Sequence, residues 1–486
     1  ENGKGNYYGF PITVLHQGVK RYTIPFPEFK ISRSPVGFND IQLVNFSTNY
    51  SLFQSPGFDL TLRNPRLLKL PDEELKKLTD FRPMEGPVGF RQMPEKDSLF
   101  GVTPERIREI ASTLAEHNTV PVPNYKNRDF WEKEYLPCSG LLSSAEKKLD
   151  QRLEPVALDE FRTMFSTEKR DRRGERPGYR AWWYGKVHDC FRIINHMTIS
   201  ECKENKNRFV EKIIEAMTVL LDMPTWEIWP QTLCTEWRIL DGHSALVASN
   251  LALAAYLLDD KLPAGIHQRI RRKCDEWVLT PAFMNLAVPN HFRKGLNQNT
   301  YAAFWYTVDN NMNPYFYKFL LLVALVQLES QAERAWIIAN TLEAQKRYFS
   351  RYTRDGYITE GMGYWQMGMS CMLHIDWIIK QATGGKLAVF TADGQHRMNM
   401  LAIGRNMDLV PGRRCYPHFG DHGSEGQARG ANGFDNLYLL TCDFAAKKAL
   451  YADSIEGKSL ASYGGVVLAH DLVASPMFLD MRRNYP

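Results

Sequence analysis

Over the first 70 residues apolar and polar positions alternate in short runs. Tyr22 to Ile31, Asp40 to Phe46 and Phe58 to Leu62 are rich in β-formers, and Ser34-Pro-Val-Gly37 and Ser55-Pro-Gly57 separate them. They predict a small β module over residues 1–70. Three or four strands make a poor sandwich, so it is either part of a larger one or packs its sheet on the helical region next in the chain. From about Pro71 the period becomes helical and stays so to about Arg405. Thr103-Pro104 supplies an N-cap and an N1 proline, and Ser143-x-x-Glu146 has the form of a capping box. Further helices are predicted over roughly 207–222, 244–258, 264–277, 314–330, 333–348, 366–381 and 396–405. Short loops make neighbours antiparallel hairpins, and hairpins arrayed in sequence close into a ring or bundle. No fixed-period repeat is legible, which argues against consensus solenoids. After Arg405 come the glycine-rich Pro411-Gly-Arg-Arg414 and Phe419-Gly-Asp-His-Gly423, and Gly464-Gly-Val-Val-Leu468 reads as the start of a β region.

Composition narrows the function classes. At 486 residues the chain exceeds one compact core, so two or more domains are expected. Lys and Arg (60) exceed Asp and Glu (55) by 5, which suits an anionic ligand but is no nucleic-acid signature. The dense run Glu168 to Arg176 mixes signs ahead of Pro177-Gly178 and reads as a solvated linker. The 8 cysteines include no CxxC pair, against a zinc ribbon, a redox motif or a disulfide scaffold. The longest apolar run, Phe319 to Val326, is too short to span a membrane. No metal site or cofactor motif is legible. A chain beginning at Glu1 is compatible with a removed signal peptide, and hence with a secreted or periplasmic protein.

The densest candidate chemistry is Asp355-Gly-Tyr-Ile-Thr-Glu360-Gly-Met-Gly-Tyr364-Trp365. It sets a carboxylate, a phenol and an indole on a glycine-broken loop. Asp355-Gly356 reads as a turn, and Gly361 and Gly363 deny a regular helix, so Tyr364 is expected to open the helix of 366–381. The plainer reading has Tyr364 and Trp365 plugging that helix into a core. A second stretch, Asp309-Asn-Asn-Met-Asn-Pro314, precedes the most apolar helix. Capping explains Asn313 and Pro314 as N-cap and N1. It leaves Asn310 and Asn311 unexplained, and amides at a helix N-terminus suit a carboxylate. If the hairpins alternate in direction, both helix mouths lie on one rim.

Asn310-Asn-Met-Asn-Pro314, then Asp355-Gly to Glu360-Gly-x-Gly-Tyr364-Trp365, resembles the heparinase II/III-like polysaccharide lyases, whose pattern is NNWN followed by DGxxxEGxxYW. Leu240-Asp-Gly-His to Asn250, running on to Pro263, is similar to the family's helix before NNWN. Phe419-Gly-Asp421 resembles its fGD element, and Phe29 to Phe38 its N-terminal β module. The likeness implies a mainly α protein with β modules: a β module over 1–70, an incomplete α/α toroid of antiparallel helix hairpins over 71–410 as catalytic domain, and a loop region over 411–486 leading into a truncated C-terminal β-sandwich.

The implied activity is β-elimination on a uronic-acid polysaccharide, glycosaminoglycan-like. It needs a neutralised carboxylate, a base for the C5 proton and an acid for the leaving oxygen. By resemblance Tyr364 is the acid/base, and a tyrosine of pKa about 10 needs a basic neighbourhood to act as base. Asn311, assisted by Asn313 and flanked by Asn310, would bind the uronate carboxylate. Glu360 would orient the loop or bond a sugar hydroxyl, with Trp365 beside it as a substrate contact. The chain departs from the family at Met312, where Trp is usual, and at Tyr315, Phe316 and Tyr317, where a His or Asn is usual; Tyr317 is the candidate substitute. His418 and His422 are candidates for the family's sandwich histidine, or ordinary loop residues. Arg413 and Arg414 suit a sulfate or carboxylate, or a solvated loop. His243 reads first as a core histidine, and Trp182-Trp183-Tyr184 and Trp226-x-x-Trp229 as helix-packing aromatics before sugar platforms. The partner expected is an anionic polysaccharide, with no nucleic acid, no membrane span and no cofactor. A uronyl epimerase, an α/α-barrel glycoside hydrolase and a non-catalytic glycan-binding protein are the alternatives.

Overall fold

The computed structural model describes residues 7–9, 30–32, 100–116, 120, 122–135, 141–156, 177–223, 225–227, 240–287, 305–306, 310–357, 361–389 and 399–400. These are mainly helical. Within the expected β module, β1 (Tyr7–Gly9) pairs antiparallel with β2 (Lys30–Ser32), Tyr8 opposite Ile31. The strands expected over 40–46 and 58–62, and everything from 401 on, lie outside the described residues.

The helices are α1 (Pro104–Ala111), α2 (Leu141–Glu146), α3 (Pro177–Glu204), α4 (Val210–Asp222), α5 (Gly242–Leu258), α6 (Ala264–Cys274), α7 (Thr280–Ala287), α8 (Met312–Gln327), α9 (Gln331–Phe349) and α10 (Met362–Ala382). Thr103 caps α1 as expected, its Oγ1 accepting from Arg106 N at 3.2 Å. Ser330 caps α9 in the same way through Glu333 N. The capping box at Ser143 is not used: α2 begins at Leu141, and Ser143 lies within it.

Two kinds of helix alternate, and their sequences say why. In α4, Ile213, Ala216, Met217 and Leu220 are buried while Glu211 and Glu215 are not, so one face meets solvent. In α5 every residue but Tyr256 is buried, and α8 is nearly as enclosed. A helix apolar all round needs neighbours on several sides. Accordingly α5 packs between α3 and α8, and α8 between α5 and α10, forming a central row α3–α5–α8–α10. The flanking row is α4 against α3, α6 against α5, and α9 against α8, with α1 lying on α9. Tight connections, such as Leu328 to Ser330 between α8 and α9, reverse the chain. Contacts of Tyr184 with His243, Gly242 with Phe316 and Asn311 with Met367 bring the N-terminal turns of successive central helices together at one end.

Four further expectations are corrected. The 28-residue α3 begins at Pro177, where the sequence suggested only the end of a linker. The helix expected over 264–277 does not stop: after Cys274 the π-helical turn Asp275–Leu279 carries the chain into α7. Asn313 does not cap α8. The helix starts at Met312 with Asn311 as its N-cap, because Asn310 Oδ1 accepts from Met312 N at 3.1 Å and turns the chain one step earlier. Gly363 does not delay α10, which starts at Met362 and leaves Tyr364 in its first turn. Gly361, at φ 99°, makes the sharp entry that glycine alone adopts easily. No helix among the described residues is long and apolar enough to cross a membrane.

Candidate active site at the mouths of the central helices

The gathered N-termini touch one another through specific side chains. Between α3 and α5, Tyr184 Oη and His243 Nε2 are 3.0 Å apart. Between α5 and α8, Gly242 lies against Phe316, whose ring is 4.9 Å from that of His243. Between α8 and α10, Asn311 Nδ2 donates to Met367 Sδ at 3.1 Å. Met367 is one turn beyond Tyr364, so the amide that begins α8 and the phenol in the first turn of α10 belong to one edge of the molecule.

Their environments differ. Tyr364 is half-buried, and its hydroxyl makes no hydrogen bond among the described residues. Asn311 is 3% exposed, and the thioether it meets at Met367 is a weak acceptor. Asn310 is half-buried, with its Oδ1 occupied by Met312 N. The other expected contacts point inward. Asn313, buried, accepts from Gln345 Nε2 at 3.0 Å and donates to Tyr306 O at 3.5 Å. Tyr317, also buried, donates to Tyr306 O and sits edge-on to Trp305 at 4.9 Å. Trp365 is 1% exposed and donates to Met400 O at 2.9 Å, which is the plainer of its two readings. The structure thus leaves Asn310 and Tyr364 partly exposed at the rim; Asn311 is as enclosed as Asn313, Tyr317 and Trp365, and differs from them in meeting α10 at Met367, one turn from Tyr364. Glu360, Arg413, Arg414, His418 and His422 lie outside the described residues.

The turn expected at Asp355-Gly356 is present. Gly356 has φ 90° and donates to Thr353 O, and its backbone abuts Asn399 and Met400 so closely that a Cβ would sit 2.3 Å from them. Together with the Trp365 bond to Met400, this fixes the chain on both sides of Tyr364.

Four titratable groups at or below the rim were given no chemical role in the sequence reading. Burial, and next the charge of Glu227, pushes the Asp241 carboxyl well above the usual carboxylate range, although Asp241 caps α5 by accepting from Ser244 N at 2.8 Å. His188, one turn past Tyr184 with ring centroids 5.0 Å apart, is held below the ordinary imidazole range by burial and then by Arg192. Deeper between α8 and α10, the fully buried Lys318 donates to Cys371 Sγ at 3.5 Å; burial lowers its pKa, and burial with Lys318 nearby holds His374 well below the usual histidine range. The signal lay in Asp241-Gly242-His243-Ser244, read from the sequence only as part of the family-like helix, which puts polar chemistry at a glycine-marked helix mouth just as the two chosen stretches do. Among the described residues, no group of three or more His, Cys, Asp and Glu side chains is arranged to hold a metal ion.

No family model matches the chain, and no curated protein is significantly similar to it in sequence.

Proposed function

We propose that this protein is a polysaccharide lyase that cleaves a uronic-acid-containing chain by β-elimination, with Asn311 neutralising the uronate carboxylate and Tyr364 handling a proton. The observation that carries the reading is the contact of Asn311, an amide at the positive end of α8, with Met367, which lies one turn of α10 beyond the half-buried Tyr364. The alternating central and flanking rows support an incomplete α/α toroid, in which such an edge borders the substrate cleft.

In the reaction a base takes the C5 proton, and the C–H electron pair becomes the C4–C5 double bond. The C4–O4 bond breaks, and O4 leaves with a proton supplied by an acid. Hydrogen bonding of the carboxylate to Asn311 makes the C5 proton more acidic by spreading the developing charge. Tyr364 is assigned the acid role because its phenol is partly exposed at the rim and a hydroxyl can donate to the leaving oxygen. The test is the ultraviolet absorbance of the unsaturated uronate product, read over a panel of uronic-acid polysaccharides with the wild type and Tyr364→Phe. Absorbance that Tyr364→Phe abolishes supports elimination; a wild type silent on every polymer removes the proposal.

A second reading has one observation in its favour. Asp241 and Glu227 are buried carboxylates near enough that the charge of one raises the pKa of the other, the relation a glycoside hydrolase uses to keep one acid protonated. New reducing ends without ultraviolet absorbance, lost in Asp241→Asn, would favour hydrolysis.

A further inference from the structure

We propose that Tyr184, held by its hydrogen bond to His243, is the base that removes the C5 proton, with His243 as its positioning residue. This rests on the elimination reading and supplies the second proton-handling group that it requires.

The geometry that carries it is a phenol–imidazole contact built across two helices. Tyr184 is half-buried on α3, and its Oη lies 3.0 Å from Nε2 of His243, the second residue of α5. His243 is only 3% exposed. The Trp183 ring stands edge-on to it at 5.6 Å, and Phe316 closes the α8 side at 4.9 Å. Gly242 is required for this enclosure, because a Cβ there would sit 2.3 Å from the Phe316 ring. The imidazole is fixed by packing, and its Nε2 meets the more exposed phenol. A lone phenol, of pKa about 10, is a poor base near neutral pH, but one whose proton can pass to an imidazole as a new proton arrives is not.

The pair also stands on the right edge. Ring contacts run from Tyr184 to His243 at 5.8 Å, on to Phe316, and from Phe316 to Tyr315 at 5.0 Å. Tyr315 N in turn donates to Asn311 O at 3.2 Å, so the chain of contacts ends on the turn headed by the carboxylate-binding amide. From α10, Met367 meets the same turn at Asn311, one turn beyond Tyr364. A base on the α3–α5 side and an acid on the α10 side would flank a sugar seated at Asn311.

The protons balance. The C5 proton goes to Tyr184 Oη while the proton of that hydroxyl passes to His243 Nε2. The electron pair left at C5 forms the double bond, the C4–O4 bond breaks, and O4 takes the proton of Tyr364. His243 then carries one positive charge and Tyr364 one negative, and exchange with solvent resets both. Beside the pair are His188 on α3, on which Arg192 and Asp189 act, and the α5 cap Asp241, on which Glu227 acts; α8 presents the Phe316 ring. His188 is held below the ordinary imidazole range and competes weakly for the proton.

The experiment uses the full chain, a uronate polymer that the wild type cleaves, and oligosaccharides of it in D2O. Tyr184→Phe keeps the ring and is expected to lower kcat by about 10²- to 10⁴-fold with little change in KM, the usual worth of a general base. His243→Gln is expected to lower kcat and to abolish the rise of rate with pH that accompanies loss of the imidazolium proton. In Tyr364→Phe the acid is missing but the base remains, so deuterium should enter at C5 without cleavage and stop when Tyr184→Phe is added. Cleavage by Tyr184→Phe at the wild-type rate, or C5 exchange that persists in the double variant, overturns this proposal and leaves the lyase reading standing. A wild type that neither cleaves nor exchanges removes both. Thermal unfolding of each variant separates lost chemistry from lost folding, since a His243 that only packs would change the melt and leave the pH profile as it is in the wild type.

Discussion

Gln345 Nε2 donates to Asn313 Oδ1 at 3.0 Å, tying α9 in the flanking row to the first turn of α8 in the central row. Both side chains are fully or nearly fully buried. Asn313→Ala therefore leaves a buried amide donor without its acceptor and should cost about 1–3 kcal/mol of stability. Urea unfolding of the two proteins measures it, and a loss below a few tenths of a kcal/mol would show that the bond is not formed.

Tyr364→Phe removes one oxygen at a partly exposed position and keeps the ring, so its effect should fall on turnover and not on folding. The expected loss in kcat is about 10²- to 10⁴-fold, with the unfolding midpoint nearly unchanged. Initial rates by product absorbance, paired with a thermal melt, check both halves.

The contact of Gly242 with Phe316 predicts a coupled pair. A Cβ on residue 242 would overlap the ring, so Gly242→Ala should destabilise by about 1–3 kcal/mol through overpacking. Adding Phe316→Leu should return part of that loss. Strict additivity in the double-mutant cycle would mean that the ring is not where the structure has it.

Asp241 makes stability depend on pH. Its folded-state pKa is raised, by burial first and by Glu227 next, so the protonated form favours the folded state. That contribution is complete below the unfolded value of about 3.9 and is lost as pH rises through the folded value. Asp241→Asn retains an oxygen for Ser244 N and should flatten the curve, gaining stability relative to wild type as pH rises. Urea unfolding at about pH 4, 6 and 8 would reveal the slope, and identical slopes in the two proteins would contradict the assignment.

Glu201 and Lys261 form an ion pair at 2.8 Å with side chains 0% and 7% exposed. Glu201 also accepts from Asn207 N at 2.7 Å, closing the turn between α3 and α4. Lys261→Met strands a buried carboxylate and should cost about 3–5 kcal/mol, whereas an exposed pair such as Arg271 with Glu329 should be worth at most about 1 kcal/mol. Chemical denaturation of Lys261→Met and Arg271→Ala compares them directly.

Element identity was largely legible, and the misses have physical causes. The amphipathic spacing in Val210–Asp222 and the Thr103 cap on α1 read correctly, because each depends on residues within one or two turns. The long α3 escaped notice because Trp182, Trp183 and Tyr184 resemble a cluster more than a period, and its faces are chosen by α4, α5 and α2 packing around it. Asn313 and Pro314 looked like a cap and its successor, yet Asn310 turned the chain earlier. At the rim, the residue types at Asn311 and Tyr364 were visible, and so was their place at helix mouths. The inward turn of Trp365 was one of its two readings, but that of Asn313 and Tyr317 was not visible, since side-chain direction at a helix end depends on which neighbours close over it.

By itself, then, the sequence determined what depends on short range. The apolar saturation of α5 and α8 made them interior helices, the glycines at 356 and 361 marked the turn and the broken loop before α10, and the amides before α8 offered donors at a positive helix end. Tertiary structure alone decided which mouths meet. The contact between Tyr184 and His243 joins residues 59 apart in sequence, and that between Asn311 and Met367 joins residues 56 apart. Pairings across such separations are set by how whole helices stack to bury α5 and α8, and no local pattern encodes that.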